Sequence, residues 1–156
     1  MTPAIKQLER AKIAFRALTY DHDPAAESFG LEAAELLGLD PALVFKTLIA
    51  AVSDGHVVAI VPVTTMLDLK ALASAAGAKK AAMADVADAE RITGYVHGGI
   101  SPIGQRKRLP TYLDRSAEAH DLIYVSGGRR GLDVELAPAD LLTVTGGRLA
   151  PIADGV

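Results

Sequence analysis

Gly98-Gly99-Ile100-Ser101-Pro102 is followed two residues later by Gln105-Arg106-Lys107-Arg108. A glycine pair lets main-chain N–H groups come close to a ligand, because no Cβ stands in the way. The proline stiffens the far side of the turn, and the three cations carry charge suited to phosphate. N–H groups near Gly99 and Ile100 are candidates to bind a carbonyl and the oxyanion formed from it, each worth on the order of 10²–10³ in rate. The plainer alternative is a turn between two strands. Lys46 lies inside the apolar run Val44-Phe45-Lys46-Thr47-Leu48-Ile49. Either its ammonium fixes a phosphate or sugar oxygen, or its stem is buried and its head reaches water. A lysine acting as general base needs a pKa lowered to roughly 7–8. Nothing in the sequence lowers it, so positioning is the role read here. A third stretch, Ser126-Gly127-Gly128-Arg129-Arg130-Gly131, repeats the pairing of glycine with cations.

Composition removes several chemistries. The chain has no cysteine, which excludes a disulfide, a thiolate zinc site and a thiol nucleophile. No Ser–His–Asp pattern stands out. Asp21-His22-Asp23 has no second histidine at ligand spacing, so neither a metal nor another cofactor is expected. A net charge of −3 argues against coating nucleic acid by bulk electrostatics. It leaves room for gripping a terminus through local clusters such as Arg106-Lys107-Arg108 and Arg129-Arg130. At 156 residues one domain over residues 1–156 is expected. No apolar run reaches the roughly 18 residues of a membrane span, and Met1 to Lys6 lacks a charged-then-apolar leader. A cytoplasmic protein without membrane contact is the expectation.

The elements that must hold these residues follow from caps and breakers. Thr2-Pro3 opens a helix carried by Ile5, Leu8 and Ile13. Phe15 to Tyr20 is a strand, and Asp21 to Pro24 a loop. Ser28 caps a helix through Glu32 and Leu36 that stops at Gly38, and Asp40-Pro41 opens a short one. Lys46 to Val52 and Val57 to Val63 form a hairpin around Asp54-Gly55. Helices run from Asp68 to Gly77 and from Asp85 to Gly94. Thr111 to Leu113 is extended. Leu122 to Val125 and Leu132 to Leu136 flank the Gly-Gly-Arg-Arg-Gly segment as a second hairpin. Pro138 to Leu142 is helical, and a last strand lies near Leu149 to Ile152. The order predicts an α+β fold: a mixed, mostly antiparallel sheet curled towards a barrel, with helices packed outside. Strands apolar at nearly every position imply cover on both faces.

Taken in order, these motifs resemble the YbaK family of aminoacyl-tRNA deacylases, in particular its cysteinyl-tRNA(Pro) deacylase branch. The matching segments include Thr19-Tyr20-Asp21-His22-Asp23-Pro24, Phe45-Lys46-Thr47-Leu48, Leu67-Asp68-Leu69-Lys70, Gly77-Ala78-Lys79-Lys80 and Thr93-Gly94-Tyr95. They continue through Gly98 to Gln105, Lys107-Arg108-Leu109-Pro110, Tyr124-Val125-Ser126-Gly127-Gly128 and Arg130-Gly131-Leu132-Asp133. The resemblance implies removal of cysteine from mischarged tRNA(Pro), with Lys46, Gly99 and Ile100 catalytic. It implies that Tyr20, Thr47, Ser101, Pro102, Ser126 and Asp133 bind substrate, Asp133 orienting the α-amino group. Arg106, Lys107, Arg108 and Arg130 are then expected to meet acceptor-end phosphates. It also implies that the substrate's own thiol cuts the ester, leaving a thiolactone, and that prolyl-tRNA synthetase forms a transient complex with the deacylase. Such an enzyme has a physical reason to exist, since cysteine and proline differ by about a methylene, worth only roughly 1–3 kcal/mol in a pocket. Two alternatives stay open on the residues alone: water-driven cleavage of Ala-tRNA(Pro) or another mischarged tRNA, and a module that binds tRNA or nucleotide without turnover.

Overall fold

A computed structural model describes residues 1–26 and 28–155. Among the described residues there are five helices: α1 (Pro3–Arg10), α2 (Phe29–Leu36), α3 (Leu69–Ala75), α4 (Val86–Thr93) and α5 (Pro138–Thr145). Ten strands accompany them: β1 (Arg16–Thr19), β2 (Phe45–Val52), β3 (Gly55–Pro62), β4 (Met66–Leu67), β5 (Ala81–Met83), β6 (Thr111–Asp114), β7 (Ile123–Arg129), β8 (Leu132–Leu136), β9 (Arg148–Ala150) and β10 (Ala153–Asp154).

Local chemistry accounts for most helix starts. The side chains of Thr2, Ser28 and Asp68 each accept an N–H from the first turn of α1, α2 and α3, the bond that offsets an orphan donor there. Asp40 does the same for the 3₁₀ turn Pro41–Leu43. Gly94 and Gly146 end α4 and α5 in the left-handed conformation, which costs glycine little. Ile13 lies beyond α1, after Lys12 turns the chain at φ 56°, yet it still packs against the core.

The sheet order is β5-β2-β3-β6-β9 in one unit and β1-β8-β7 in another, with β10-β4 as a small third pair. Pairing is antiparallel except for β3 with β6 and β6 with β9. A bridge between Val44 and Tyr124 joins the two larger sheets. They curl around the main core without closing into a barrel. β3 is buried along nearly its whole length. Val58 and Ile60 face the main core with Leu8, Ile92, Val125 and Leu141, while Val57, Ala59 and Val61 face a second core with Leu72 of α3 and Ile152. This is the two-sided cover that the apolar strands predict.

Two turns differ from expectation. Val52 pairs directly with Gly55, so Ser53-Asp54 form the first hairpin loop and Gly55 opens β3. In the second hairpin Ser126 pairs with Asp133, and the next pair is Arg129 with Leu132. Gly127 and Gly128 therefore form a bulge inside β7, and the turn itself is Arg130-Gly131.

The β2 edge opens the space that matters. β5 pairs with β2 only from Ala50 to Val52, and the Val44–Tyr124 bridge sits at its other end. Between them part of the outer edge of β2 has no strand against it. Val44 carbonyl accepts from Val63 and Ile49 carbonyl from Ala84, so even-numbered residues of β2 bond towards β3 and odd-numbered ones point outwards. The Thr47 N–H and C=O thus face the gap.

Candidate active site

A cavity of about 380 Å³ fills this gap, within the size range of small-ligand sites. Lys46 and Thr47 enter from β2, Tyr20 from the end of β1, and Ser126 and Asp133 from the bulged hairpin. Gly98 and Ile100 enter from the loop after α4. Four remote segments therefore bring together seven residues marked by motif.

Lys46 is half-buried, and its Nζ donates to the Thr65 carbonyl at 2.8 Å. Thr65 is itself fixed by two bonds to the Pro62 carbonyl, from its N–H and its hydroxyl. Burial lowers the Lys46 pKa below the ordinary lysine value, because a desolvated ammonium has lost water as a partner. No carboxylate pairs with it among the described residues, and Lys46 lines the cavity.

Asp133 is 6 % exposed and has neither a hydrogen-bond donor nor a cation beside it among the described residues. Burial pushes its pKa up to about 7. Arg129 and Arg130 do not neutralise it: Arg129 donates to the Arg130 carbonyl and Arg130 to the His97 carbonyl. Tyr20 rises to about 12, from burial first and the Asp133 charge second. Its main-chain N–H donates to the Gly131 carbonyl at 3.0 Å, which ties the end of β1 to the hairpin turn. Thr47 Oγ1 is buried without a partner, an expensive state unless a ligand supplies one. Ser126 Oγ accepts from the Gly128 N–H at 3.2 Å and shapes the bulge.

The glycine loop divides differently from expectation. The Gly99 N–H is committed to the Val96 carbonyl at 2.8 Å, so Gly99 is not an oxyanion donor. The Gly98 and Ile100 N–H groups donate to nothing among the described residues and belong to residues lining the cavity. Gly99 serves packing: a Cβ there would lie 2.7–2.8 Å from main-chain atoms of Arg129 and Arg130. Backbone on both sides cannot yield, and Gly99→Ala is expected to cost about 1–3 kcal/mol of stability, seen as a lower urea midpoint at unchanged m-value. A midpoint equal to wild type would contradict the packing role.

Ser101 and Pro102 do not line the cavity. Ser101 is fully buried, its Oγ accepting the Ile103 N–H and its carbonyl the Gln105 side chain. Pro102 faces a separate polar cavity with Gln7 and Arg108. Both hold the loop rather than the ligand. The Arg106-Lys107-Arg108 run also leaves the site. Arg106 reaches the Arg91 carbonyl at the end of α4, and Arg108 lies against Gly146 at the end of α5, where cations meet the negative helix end. Arg130 alone of the expected phosphate contacts reaches the cavity region, beside Phe29 and His97. Those two line the cavity and carry no sequence motif. The available signals are faint: Phe29 follows a helix cap directly, and His97 precedes the glycine pair. No cluster of metal-ligating side chains occurs among the described residues.

A cavity on a broken sheet edge, with one unpaired cation and one unpaired carboxylate, suits a ligand carrying both an ammonium and an anionic or ester oxygen. The chain belongs to the aminoacyl-tRNA editing domain family, whose profile matches residues 23–144. A relative from Enterococcus faecalis (strain ATCC 700802 / V583), EbsC, provisionally named a Cys-tRNA(Pro)/Cys-tRNA(Cys) deacylase, is 42 % identical over 156 residues, 97 % of this chain and 92 % of that protein. Two solved structures share the fold at 24 % identity. One, of a hypothetical protein, has a TM-score of 0.87 and covers 97 % of this chain and 99 % of its own. The other, described provisionally as a trans-editing enzyme for prolyl-tRNA synthetase, has a TM-score of 0.82 and covers 99 % of both chains.

Proposed function

We propose that residues 1–156 act as one editing domain that removes cysteine from mischarged Cys-tRNA(Pro) in trans. The carrying observation is that Lys46 and an unneutralised Asp133 line a single cavity. Ionised Asp133 holds the α-ammonium. Lys46 holds a phosphate or ribose oxygen of the terminal nucleotide. The Ile100 N–H, with Gly98 beside it, receives the ester oxygen as charge develops there. Among the described residues no hydroxyl of the cavity bonds to a histidine or carboxylate, the arrangement that an activated serine or threonine needs. The substrate supplies the nucleophile instead. Its thiol gives up a proton, sulfur attacks the ester carbonyl, and the carbon–oxygen bond to the ribose breaks. The ribose oxygen takes a proton, leaving free tRNA and a thiolactone that water opens. Such intramolecular attack carries an effective molarity of roughly 10⁵ M or more when geometry is right.

Single-turnover deacylation of a panel of tRNA(Pro) esters tests this. Cysteine is expected to leave at least about tenfold faster than alanine, serine or S-methylcysteine, since a hydroxyl is far less ionised than a thiol. S-methylcysteine released as fast as cysteine would overturn thiol attack and favour a positioned water. Binding of tRNA with no ester lost would leave only a binding module. The ester itself is the same on tRNA(Cys), so discrimination between tRNAs is assigned to a transient complex with prolyl-tRNA synthetase. The description of the second fold relative names prolyl-tRNA synthetase and supports that assignment, whereas the name of EbsC covers both Cys-tRNA(Pro) and Cys-tRNA(Cys).

A further inference from the structure

Planar side chains gather beside the cavity and take no part in the ester chemistry. Phe29, the first residue of α2, has the Arg130 guanidinium carbon 4.9 Å over its ring. The His97 ring meets it edge-on, centroids 5.6 Å apart at 87°, and the His22 ring leans on it at 5.7 Å. Each partner is held from behind. Arg130 Nε donates to the His97 carbonyl at 2.8 Å. His22 Nδ1 lies 2.8 Å from Glu32 Oε1, while Glu32 Oε2 accepts the Asp23 N–H.

Gly98 makes the gathering possible. A Cβ at that position would lie 2.7 Å from Arg130 Nε and 2.9 Å from the Phe29 ring. The chain leaves this corner open so that an aromatic ring and a guanidinium can stack where Phe29 and His97 line the cavity. Aromatic faces and guanidinium planes are the surfaces on which unpaired nucleic-acid bases stack. The cation adds attraction for the phosphate that accompanies each base. An aliphatic ligand would use neither feature.

We propose that Phe29, His97 and Arg130 form a base-stacking shelf for the terminal nucleotide of the RNA, orienting the ester over Lys46 and Asp133. This rests on the deacylase reading for one point only, that the nucleotide is the 3′ end of an RNA.

Calorimetric titration with adenosine 5′-monophosphate, ribose 5-phosphate and the trinucleotides CCA and CCC tests the shelf. Wild-type protein is expected to bind the monophosphate at least about fivefold more tightly than ribose 5-phosphate. Phe29→Leu and Arg130→Lys, which keep bulk and charge respectively, should each weaken the monophosphate at least about fivefold and ribose 5-phosphate less than about twofold. If Phe29→Leu fails to fold, Phe29→Tyr keeps a ring and should bind as wild type. CCA should bind at least as tightly as the monophosphate and more tightly than CCC. A monophosphate bound no better than ribose 5-phosphate, or bound equally by both variants, overturns the shelf. CCA bound more weakly than the monophosphate overturns its assignment to an RNA end. Esters cut with no base preference remove the shelf alone. The full binding pattern without ester cleavage keeps the shelf and removes the deacylase reading.

Discussion

Lys46→Met is expected to lower single-turnover deacylation of Cys-tRNA(Pro) by about 10²–10³-fold while leaving the protein folded, the scale for removing one preorganised electrostatic contact. Methionine keeps an unbranched stem of similar reach, so the packing of β2 survives. What disappears is the ammonium. Among the described residues it has one acceptor, the Thr65 carbonyl at 2.8 Å, which leaves two further N–H groups for substrate. Its lowered pKa records lost water that no carboxylate replaces. The substitution relieves that desolvation and removes one partner from the Thr65 carbonyl, effects of opposite sign. The thermal midpoint should therefore move by only a few degrees. An unchanged rate with a folded variant would remove Lys46 from the mechanism.

The parts of this site legible in the sequence are those fixed by residue type close along the chain. Ser28 and Asp68 announce their helices because a cap is a contact over three residues. Lys46 stands out because a charge inside Val44 to Ile49 needs a reason. Placement of the cations and glycines was not legible, because each depends on a distant partner. Gly99 is spaced for Arg129 and Arg130 rather than for a ligand. Arg106 and Arg108 lie beside the ends of α4 and α5, a placement that their spacing along the chain does not show. β4 and β5 have two and three residues, too few for a period-2 pattern to register. Yet it is the short reach of β5 along β2 that leaves Thr47 on an open edge. The cavity exists because one strand stops early, a fact of pairing and not of composition.

Asp133 gives the sharpest separation of stability from activity. Its folded pKa of about 7 lies above the ordinary aspartate value because the buried carboxylate has no donor or cation. Between about pH 4 and pH 7 the folded chain therefore holds a proton that the unfolded chain has lost. Unfolding releases that proton, so this group makes stability fall as pH rises through the interval and level off above it. At pH 8 the full shift corresponds to about 4 kcal/mol of destabilisation, as an order of magnitude. Asp133→Asn removes the charge and keeps the shape. Its urea midpoint at pH 8 should rise above that of wild type, and the wild-type decline between pH 4 and pH 7 should flatten.

Activity should move the other way. The substrate ammonium needs the ionised carboxylate, so wild-type kcat/KM should climb through a midpoint near pH 7, while above about pH 8 loss of the ammonium proton and ionisation of the thiol act in opposite directions. The asparagine variant should lose that acid limb and retain about a hundredth of the rate at pH 8, the scale for taking one partner from a buried charge pair. A variant more stable and nearly inactive fits a carboxylate kept unpaired for the ligand. One with the wild-type rate at pH 8 would mean that the α-ammonium is held elsewhere, with the open edge at Thr47 the next place to look.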